Sequence, residues 1–257
     1  MYQQLVGCLA YIAVWGRPDV ARAHVILACH LINPGQDHAN HAIKVWRYLL
    51  GTRTLALQAS GNGDLDAVNH LSTTTPLFFG ASDASYADEP TTRKSSQGYL
   101  FQLGGLTVDW KSSVQRTVTK STTESELLAL SLAGSQLQEW TRFLQAVSLI
   151  LDTPPSIYCD NQQTVGIVTK AIDRLHTKVK HVDIHQLWIR QEVLAGRISV
   201  QWKPTTEMPA DGLTKALGRQ RFEGFIRQLN LVDIAHLIHD DKDPSINYPK
   251  VDYPHHV

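Results

Sequence analysis

The order of strand-like and helix-like patterns after residue 75 limits the fold more than any other feature. Three short apolar or alternating runs come first, and the second and third of them flank Gly104-Gly105, a pair typical of a two-residue hairpin turn. A long helical pattern, a fourth strand, two helices, a fifth strand and a final helix follow. This order predicts an α/β fold whose sheet has an edge built from a hairpin.

A polar stretch separates this region from the first part of the chain. Residues 59–75 are rich in Ser, Gly, Asn, Asp and Thr, which is typical of a linker. Before them, Leu5, Leu9 and Ile12 recur at helical spacing. We therefore expect a helical segment over residues 1–58, a linker over 59–75, an α/β domain over 76–234 and a disordered tail over 235–257.

Composition excludes several classes of protein. The chain has 24 Lys and Arg against 24 Asp and Glu, so net charge indicates no nucleic-acid partner and phosphate contacts would need local patches. Its three cysteines are far apart and form no CxxC pair, which argues against a disulfide framework or a cysteine zinc site. No apolar stretch reaches membrane-spanning length. We expect an intracellular protein, in cytoplasmic particles or the nucleus, without a membrane partner.

Four carboxylates stand where this layout brings parts of the chain together. Asp83 ends the first predicted strand and Asp160 the fourth, Glu126 lies in the first turn of the long helix, and Asp211 begins the last helix. Because ligand sites in open α/β sheets form outside the strand ends, at least Asp83 and Asp160 could share a site. Crowded carboxylates repel one another, and a hard cation such as Mg²⁺ relieves this repulsion. Two such ions can promote phosphodiester cleavage.

Each of these acids also has a purely structural interpretation. Thr123 and Glu126 match a capping box, which is a common device at the start of a helix. Asp160 and Asp211 could each cap the helix that follows them, and Asp83 could be a turn residue. Only the joint arrangement of the four favours a metal site.

Four segments resemble the ribonuclease H region of copia-type long-terminal-repeat retrotransposon polyproteins. In the family's order they are SDASYADEPTTRKSSQGYLFQLGG, STTESELLALS, IYCDNQQTV and the pair TKVKHVDI and PADGLTK. The N-terminal segments YQQLVGCLAYIAVWGRPDV and HAIKVWRYLLGT are similar to the helices that follow the polymerase palm in the same polyproteins. The chain thus resembles a C-terminal fragment of a Pol polyprotein that includes the ribonuclease H domain.

The resemblance implies a ribonuclease H-like fold, with a mixed five-stranded sheet and flanking helices, and hydrolysis of the RNA strand of RNA–DNA hybrids during reverse transcription. The family's metal-binding and catalytic acids fall on Asp83, Glu126, Asp160 and Asp211. These acids would hold two Mg²⁺ ions, for which Mn²⁺ could substitute. Glu124 is the alternative to Glu126, which we favour because the family's ligand directly precedes a bulky apolar residue, here Leu127. Glutamates two positions apart lie on different faces of a helix.

Two absent motifs limit what the chain is expected to do, one typical of polymerases and the other a histidine that many cellular ribonucleases H carry in the loop before the last Asp. The aromatic-x-Asp-Asp motif of a polymerase does not occur in the sequence, so we expect no polymerase activity from this chain, and the missing polymerase portion is a candidate partner. The predicted loop Pro204–Ala210 contains no histidine, which leaves the group that assists proton transfer unassigned.

Two basic runs are candidates for phosphate contacts with a hybrid duplex. Their candidate nucleic-acid-binding residues are Lys111, Arg116, Lys120, Lys178 and Lys180. For each run, a solvated surface is an equally good interpretation. Trp110 and Trp202 could stack on a substrate, but we favour core positions for both.

Two other functions stay open at the level of sequence. The chain could be an inactive or repurposed retroelement fragment that binds nucleic acid or partners without cutting. It could also be a transposase or integrase, whose related fold uses clustered acids. The set of four acids and the CDNQ and ADGLTK contexts favour ribonuclease H over this last class.

Overall fold

The computed structural model describes residues 1–59, 76–170 and 180–238, and these residues divide into two units. The helices are α1 (Tyr2–Trp15), α2 (Ala21–Ala28), α3 (Gln36–Gly51), α4 (Thr122–Ala146), α5 (Gln162–Thr169), α6 (Lys180–Leu194) and α7 (Arg219–Gln228). The strands are β1 (Leu55–Leu57), β2 (Phe78–Ser85), β3 (Ser96–Leu103), β4 (Leu106–Val114), β5 (Ser156–Cys159), β6 (Ser199–Trp202) and β7 (Leu231–Asp233). Most of the predicted linker and of the predicted tail lies outside the described residues, as does Lys178.

The first unit combines residues 1–58 with residues from 216 onward. The α1 helix buries Val6, Leu9 and Ala13 on one face. The helix is confirmed, but of the residues whose spacing predicted it only Leu9 is fully buried, since Leu5 and Ile12 are half-buried. The short strand β1 pairs antiparallel with β7, so that Ala56 lies opposite Val232.

This division differs from the predicted boundary at residue 234. The α7 helix and β7 follow the second unit in sequence, yet they lie in the first unit because β7 takes β1 as its strand partner. A pairing between segments about 170 residues apart leaves no local signal in the sequence. None of the helices within the described ranges is long and apolar enough to cross a membrane.

The second unit, which ends at Lys215, is built on a five-stranded mixed sheet. The strand order is β4-β3-β2-β5-β6, in which β2, β3 and β4 are antiparallel neighbours while β5 and β6 run parallel to β2. Gly104 and Gly105 both have positive φ, at 56° and 80°, as the turn between β3 and β4 requires. The predicted mixed five-stranded sheet and its hairpin edge are confirmed.

One helix supplies most of the cover for this sheet. Leu127, Leu130 and Leu137 of α4 recur at intervals of three and seven and are buried in the core together with Phe101 and Ile157. The α6 helix packs on α4 at Gly134, where an added Cβ would lie 2.5 Å from Ile189 Cδ1. A larger residue at this position would have to displace the Ile189 side chain, so the glycine allows the two helices to approach closely.

Candidate metal centre

Asp83 lies in the middle of the sheet and is fully buried. We predicted it at the end of a strand, but β2 continues for two residues beyond it, to Ser85. The hydroxyl of Thr214 donates a hydrogen bond to Asp83 Oδ2, and Lys215 Nζ lies 3.3 Å from Oδ1. The turn interpretation of Asp83 is therefore wrong.

Glu126 reaches the same place from α4. The predicted position in the first helical turn is wrong, because the helix begins at Thr122 and Glu126 lies in its second turn. The alternative interpretation, a capping box with Thr123, is wrong as well. The helix is instead capped by Ser121, whose hydroxyl accepts from the Glu124 backbone N–H at 3.1 Å, while the Glu124 carboxylate accepts from the Lys120 N–H at 2.7 Å. Glu124 is thus occupied at the helix start, and Glu126 is the glutamate that faces the buried acids.

Asp160 directly follows β5, as predicted, and is held from two sides. Thr205 Oγ1 donates to its Oδ2 at 2.8 Å, and the indole N–H of Trp202 donates to its backbone carbonyl at 2.9 Å. The cap of α5 is Asn161, whose side chain accepts from the Thr164 N–H at 2.9 Å. The alternative that Asp160 serves as that helix cap is therefore wrong, and its carboxylate is available to the site.

These three acids form one group. Each of Asp83, Glu126 and Asp160 offers a carboxylate oxygen, and the three oxygens lie within 4.8 Å of one another. The second oxygen of Glu126, Oε2, is buried and has no hydrogen-bond partner among the described residues. A buried carboxylate oxygen without a donor is costly, whereas a metal ion would satisfy it. The all-oxygen ligand set and this unsatisfied atom fit a hard cation such as Mg²⁺.

Asp211 stands beside this group but is not a member of it. We predicted it at the start of the final helix, but it lies in a short 3-10 helix, Pro209–Leu213, that packs on the sheet. An added Cβ on Gly98 of β3 would lie 2.7 Å from Leu213 Cβ, so a glycine is needed where this 3-10 helix approaches. Asp211 is buried and is joined to Asp83 through Lys215, whose Nζ lies 2.5 Å from Asp211 Oδ1.

Lys215 is a residue of the site that no sequence pattern predicted. It is the last residue of the PADGLTK motif, four positions after Asp211, so the signal that could have found it was its spacing from Asp211. Its contact with Asp83 spans 132 residues and is visible only in the folded chain.

Burial and mutual repulsion set the ionisation of the site. Burial raises the pKa of Asp83, and the nearby Asp160 and Asp211 raise it further, while Lys215 and the Thr214 hydroxyl oppose the rise. Burial and the charges of Asp83 and Asp160 together raise the pKa of Glu126 well above its ordinary value. Burial tends to lower the pKa of Lys215, but the charges of Asp83 and Asp211 outweigh it and the pKa is raised. The site therefore favours any group that adds positive charge.

The predicted nucleic-acid contacts are only partly described. Lys111 lies on β4, Arg116 and Lys120 lie in the segment before α4, and all three are exposed. Lys180 is the first residue of α6. Phosphate binding by these residues stays a prediction.

The core position favoured for Trp202 is wrong. Its side chain is 45% exposed, because β6 is the outer strand of the sheet and leaves the end of the strand uncovered. Its hydrogen bond to Asp160 places it at the edge of the carboxylate group.

The strand order, the mixed strand directions and the acids gathered from β2, from α4 and from the end of β5 put the second unit in the ribonuclease H-like fold class, as predicted. No protein-family model matches the chain. Over 222 residues, 86% of its length, the chain is 35% identical to the retrovirus-related Pol polyprotein from transposon TNT 1-94 of Nicotiana tabacum. The chain is therefore similar to a part of the retrovirus-related Pol polyproteins. It spans only 16% of the length of that relative.

Two further likenesses were found. The chain is 38% identical over 135 residues to the secreted RxLR effector protein 161 of Plasmopara viticola, a match that covers 52% of this chain and 87% of the effector. Among solved structures, LC11-RNase H1, isolated from compost by a metagenomic approach, aligns with a TM-score of 0.42 and 16% identity, over 55% of this chain and 94% of its own. This TM-score is too low to support a fold assignment, so the fold class is assigned from the strand order and strand directions of the sheet.

Proposed function

We propose that the second unit is a metal-dependent endonuclease that hydrolyses the RNA strand of RNA–DNA hybrids. The observation that carries this proposal is the group formed by Asp83, Glu126 and Asp160, which brings three carboxylates from three separate elements within 4.8 Å. Similarity to retrovirus-related Pol polyproteins supports the choice of substrate, because a polyprotein that copies RNA into DNA produces such hybrids.

The residues of the site would have two kinds of role, metal binding and positioning of the metal ligands. Asp83, Glu126 and Asp160 would hold the cation, while Thr205 and Trp202 keep Asp160 in place and Thr214 orients Asp83. When bound, Mg²⁺ would supply positive charge that lowers the pKa of a water molecule and stabilises the leaving oxygen. The products would be a 3′-hydroxyl and a 5′-phosphate. Mn²⁺, which also accepts oxygen ligands, could substitute.

The family resemblance predicts two Mg²⁺ ions, but the described residues suit one of the two metal positions better than the other. The first position is the group of three carboxylates. The second would need Asp211 together with Asp83, and these two carboxylates already share the ammonium of Lys215.

A matched pair of substitutions on α4 tests the proposal. We expect Glu126→Gln to reduce Mg²⁺-dependent cleavage of a labelled RNA–DNA hybrid by at least about 100-fold, because loss of groups that only support a ligand already costs 10–100-fold. Glu124→Gln changes the same residue type two positions away, at the helix cap, and should keep cleavage within about threefold.

Circular dichroism would confirm that both variants are folded. Equal cleavage by the two variants would exclude the assigned site. Cleavage of duplex DNA in place of the hybrid would favour the transposase or integrase class.

A second candidate function is supported by the similarity to the effector. The matched residues make up 87% of the effector, so most of that protein consists of a sequence similar to part of this chain. A repurposed fragment would bind hybrid, or another partner, without cutting it. A folded wild type that binds hybrid and leaves it intact with both Mg²⁺ and Mn²⁺ present would favour this candidate.

The cellular setting is part of the same proposal. We expect the chain to act inside the cell, in cytoplasmic particles or the nucleus, on hybrid made by the polymerase portion of the polyprotein. Addition of that portion to the cleavage assay would show whether the second unit depends on it.

A further inference from the structure

The side chain of Lys215 places a positive charge at the candidate metal centre. The ammonium nitrogen of Lys215 lies 2.5 Å from Asp211 Oδ1 and 3.3 Å from Asp83 Oδ1. Both carboxylates are buried, and the lysine side chain is 32% exposed, so that the ammonium sits between the buried acids and solvent. Lys215 therefore links Asp211, which lies outside the group of three carboxylates, to Asp83, which belongs to that group.

The fold sets the place from which Lys215 reaches the acids. The backbone N–H groups of Thr214 and Lys215 both donate to the carbonyl of Asp211, at 3.2 and 3.0 Å. One residue earlier, the carbonyl of Leu213 accepts from the Ser112 hydroxyl at 2.6 Å, which ties this segment to β4. The base of the lysine side chain is thus held against the sheet, and its position does not depend on a free loop.

A divalent ion shared by Asp83 and Asp211 would meet this ammonium directly. Mg²⁺ binds carboxylate oxygens at about 2.0–2.1 Å, closer than the 2.5 Å between Lys215 Nζ and Asp211 Oδ1. The ion and the ammonium would therefore claim the same carboxylate, and two adjacent cations repel each other. The group of three carboxylates has no such competitor at Glu126 Oε2, which lacks a hydrogen-bond partner among the described residues.

We propose that Lys215 competes with a second divalent cation for Asp83 and Asp211. The first ion binds at Asp83, Glu126 and Asp160, and a second binds tightly only when the ammonium has been displaced. This inference rests on the metal site of the proposed function. It adds to that site a resident positive charge that makes the two metal positions unequal.

Lys215→Met is the direct test, because methionine is an unbranched side chain without charge. Titration of metal-free full-length protein with Mn²⁺, followed by electron paramagnetic resonance of the free ion, measures both sites without any substrate. In the wild type we expect one tighter and one weaker site. In Lys215→Met we expect the dissociation constant of the weaker site to fall at least about tenfold, since the ion no longer has to displace an ammonium that is hydrogen-bonded to a carboxylate.

Three further variants separate competition from a structural effect. Lys215→Arg keeps the charge and should keep the weak site weak. Lys215→Gln removes the charge but can still donate hydrogen bonds to the carboxylates, so it serves if the methionine variant does not fold. Lys203→Met makes the same chemical change at a lysine whose Nζ lies 3.9 Å from the centre of the Tyr158 ring, and should leave both dissociation constants unchanged.

Thermal unfolding supplies a second measurement. Lys215→Met should melt at a lower temperature than the wild type in chelator, because Asp83 loses its cation, and should gain more from saturating Mn²⁺ than the wild type does. A lysine that only supports the fold would lower the melting temperature equally with and without Mn²⁺.

The possible results distinguish this inference from the proposed function. If the wild type binds one Mn²⁺ and that ion is lost in Asp160→Asn, but Lys215→Met and Lys215→Gln bind the second ion no better, the competition is overturned and the metal site stands. If the wild type binds two ions with equal affinity, the competition is likewise overturned. If it binds none, both the metal site and the competition fail.

Discussion

Both units bury carboxylates, but they surround them differently. In the first unit, Asp19 is matched by donors on both oxygens, with Arg17 Nε at 2.9 Å from Oδ1 and Arg17 Nη2 and the Tyr48 hydroxyl at 2.8 and 2.6 Å from Oδ2. In the second unit, Glu126 keeps an oxygen without a donor among the described residues and faces two other acids. In the first arrangement the loss of either partner leaves an unpaired buried charge, whereas the second leaves free energy available for binding a cation.

The largest change in stability should come from breaking the ion pair between Arg17 and Asp19 in the first unit. Asp19→Asn leaves the buried guanidinium of Arg17 without its counter-charge, and we expect it to lower the unfolding free energy by about 3–5 kcal/mol. Urea-induced unfolding followed by circular dichroism would measure this. Asp37→Asn, at an exposed position of α3, should change it by about 0.5 kcal/mol or less. A loss at Asp19 no larger than that at Asp37 would contradict the comparison.

The equivalent change in the second unit should have the opposite sign. In chelator at neutral pH, Glu126→Gln removes a buried carboxylate that two acids repel, so we expect it to raise the unfolding free energy by about 1–3 kcal/mol. In saturating Mg²⁺ the wild type should instead be the more stable of the two, since only the wild type retains the Glu126 carboxylate as a metal ligand. Melting curves with and without Mg²⁺ would test both statements, and a variant less stable than the wild type in chelator would refute the first.

The same residue should make the stability of the metal-free protein depend on pH. Burial raises the pKa of Glu126 in the folded state, so the folded chain holds its proton to higher pH than the unfolded chain does. Its contribution to stability is therefore complete below the ordinary carboxyl pKa and is lost as pH rises through the folded value. The unfolding free energy of the wild type relative to Glu126→Gln should fall by up to about 1.4 kcal/mol per pH unit in that window. A flat difference across pH 4–8 would show that Glu126 is not perturbed.

The smallest effect should come from the support of Asp160. Thr205→Val removes the hydroxyl that donates to Asp160 Oδ2, and we expect Mg²⁺ affinity to weaken by about tenfold while the fold is kept. Isothermal titration with Mg²⁺ measures this affinity. Thr153→Val, in an exposed loop before β5, serves as the control and should leave the affinity as it is.

Local patterns were sufficient for much of the second unit. The glycine pair predicted the hairpin between β3 and β4, the spacing of apolar residues predicted α4, and the acids after apolar runs marked Asp83 and Asp160. These signals are local because turn geometry and helix periodicity depend on neighbouring residues.

Other features could not be derived from such patterns. Periodicity predicted the helix but not its first residue, so it left Glu124 and Glu126 as alternatives until the Ser121 cap became visible. The aromatic character of Trp202 favoured a core position, but the residue lies exposed on the outer strand β6.

By itself, the sequence determined the element order of the second unit, its fold class and the acids that could bind a metal, because these follow from periodicity, from turn residues and from a family resemblance. Tertiary structure alone decided which acids share a site, that Lys215 stands between Asp83 and Asp211, and that β7 completes the first unit. Each of these depends on contacts between residues far apart in the chain, and such contacts form only when burial of the core brings those residues together.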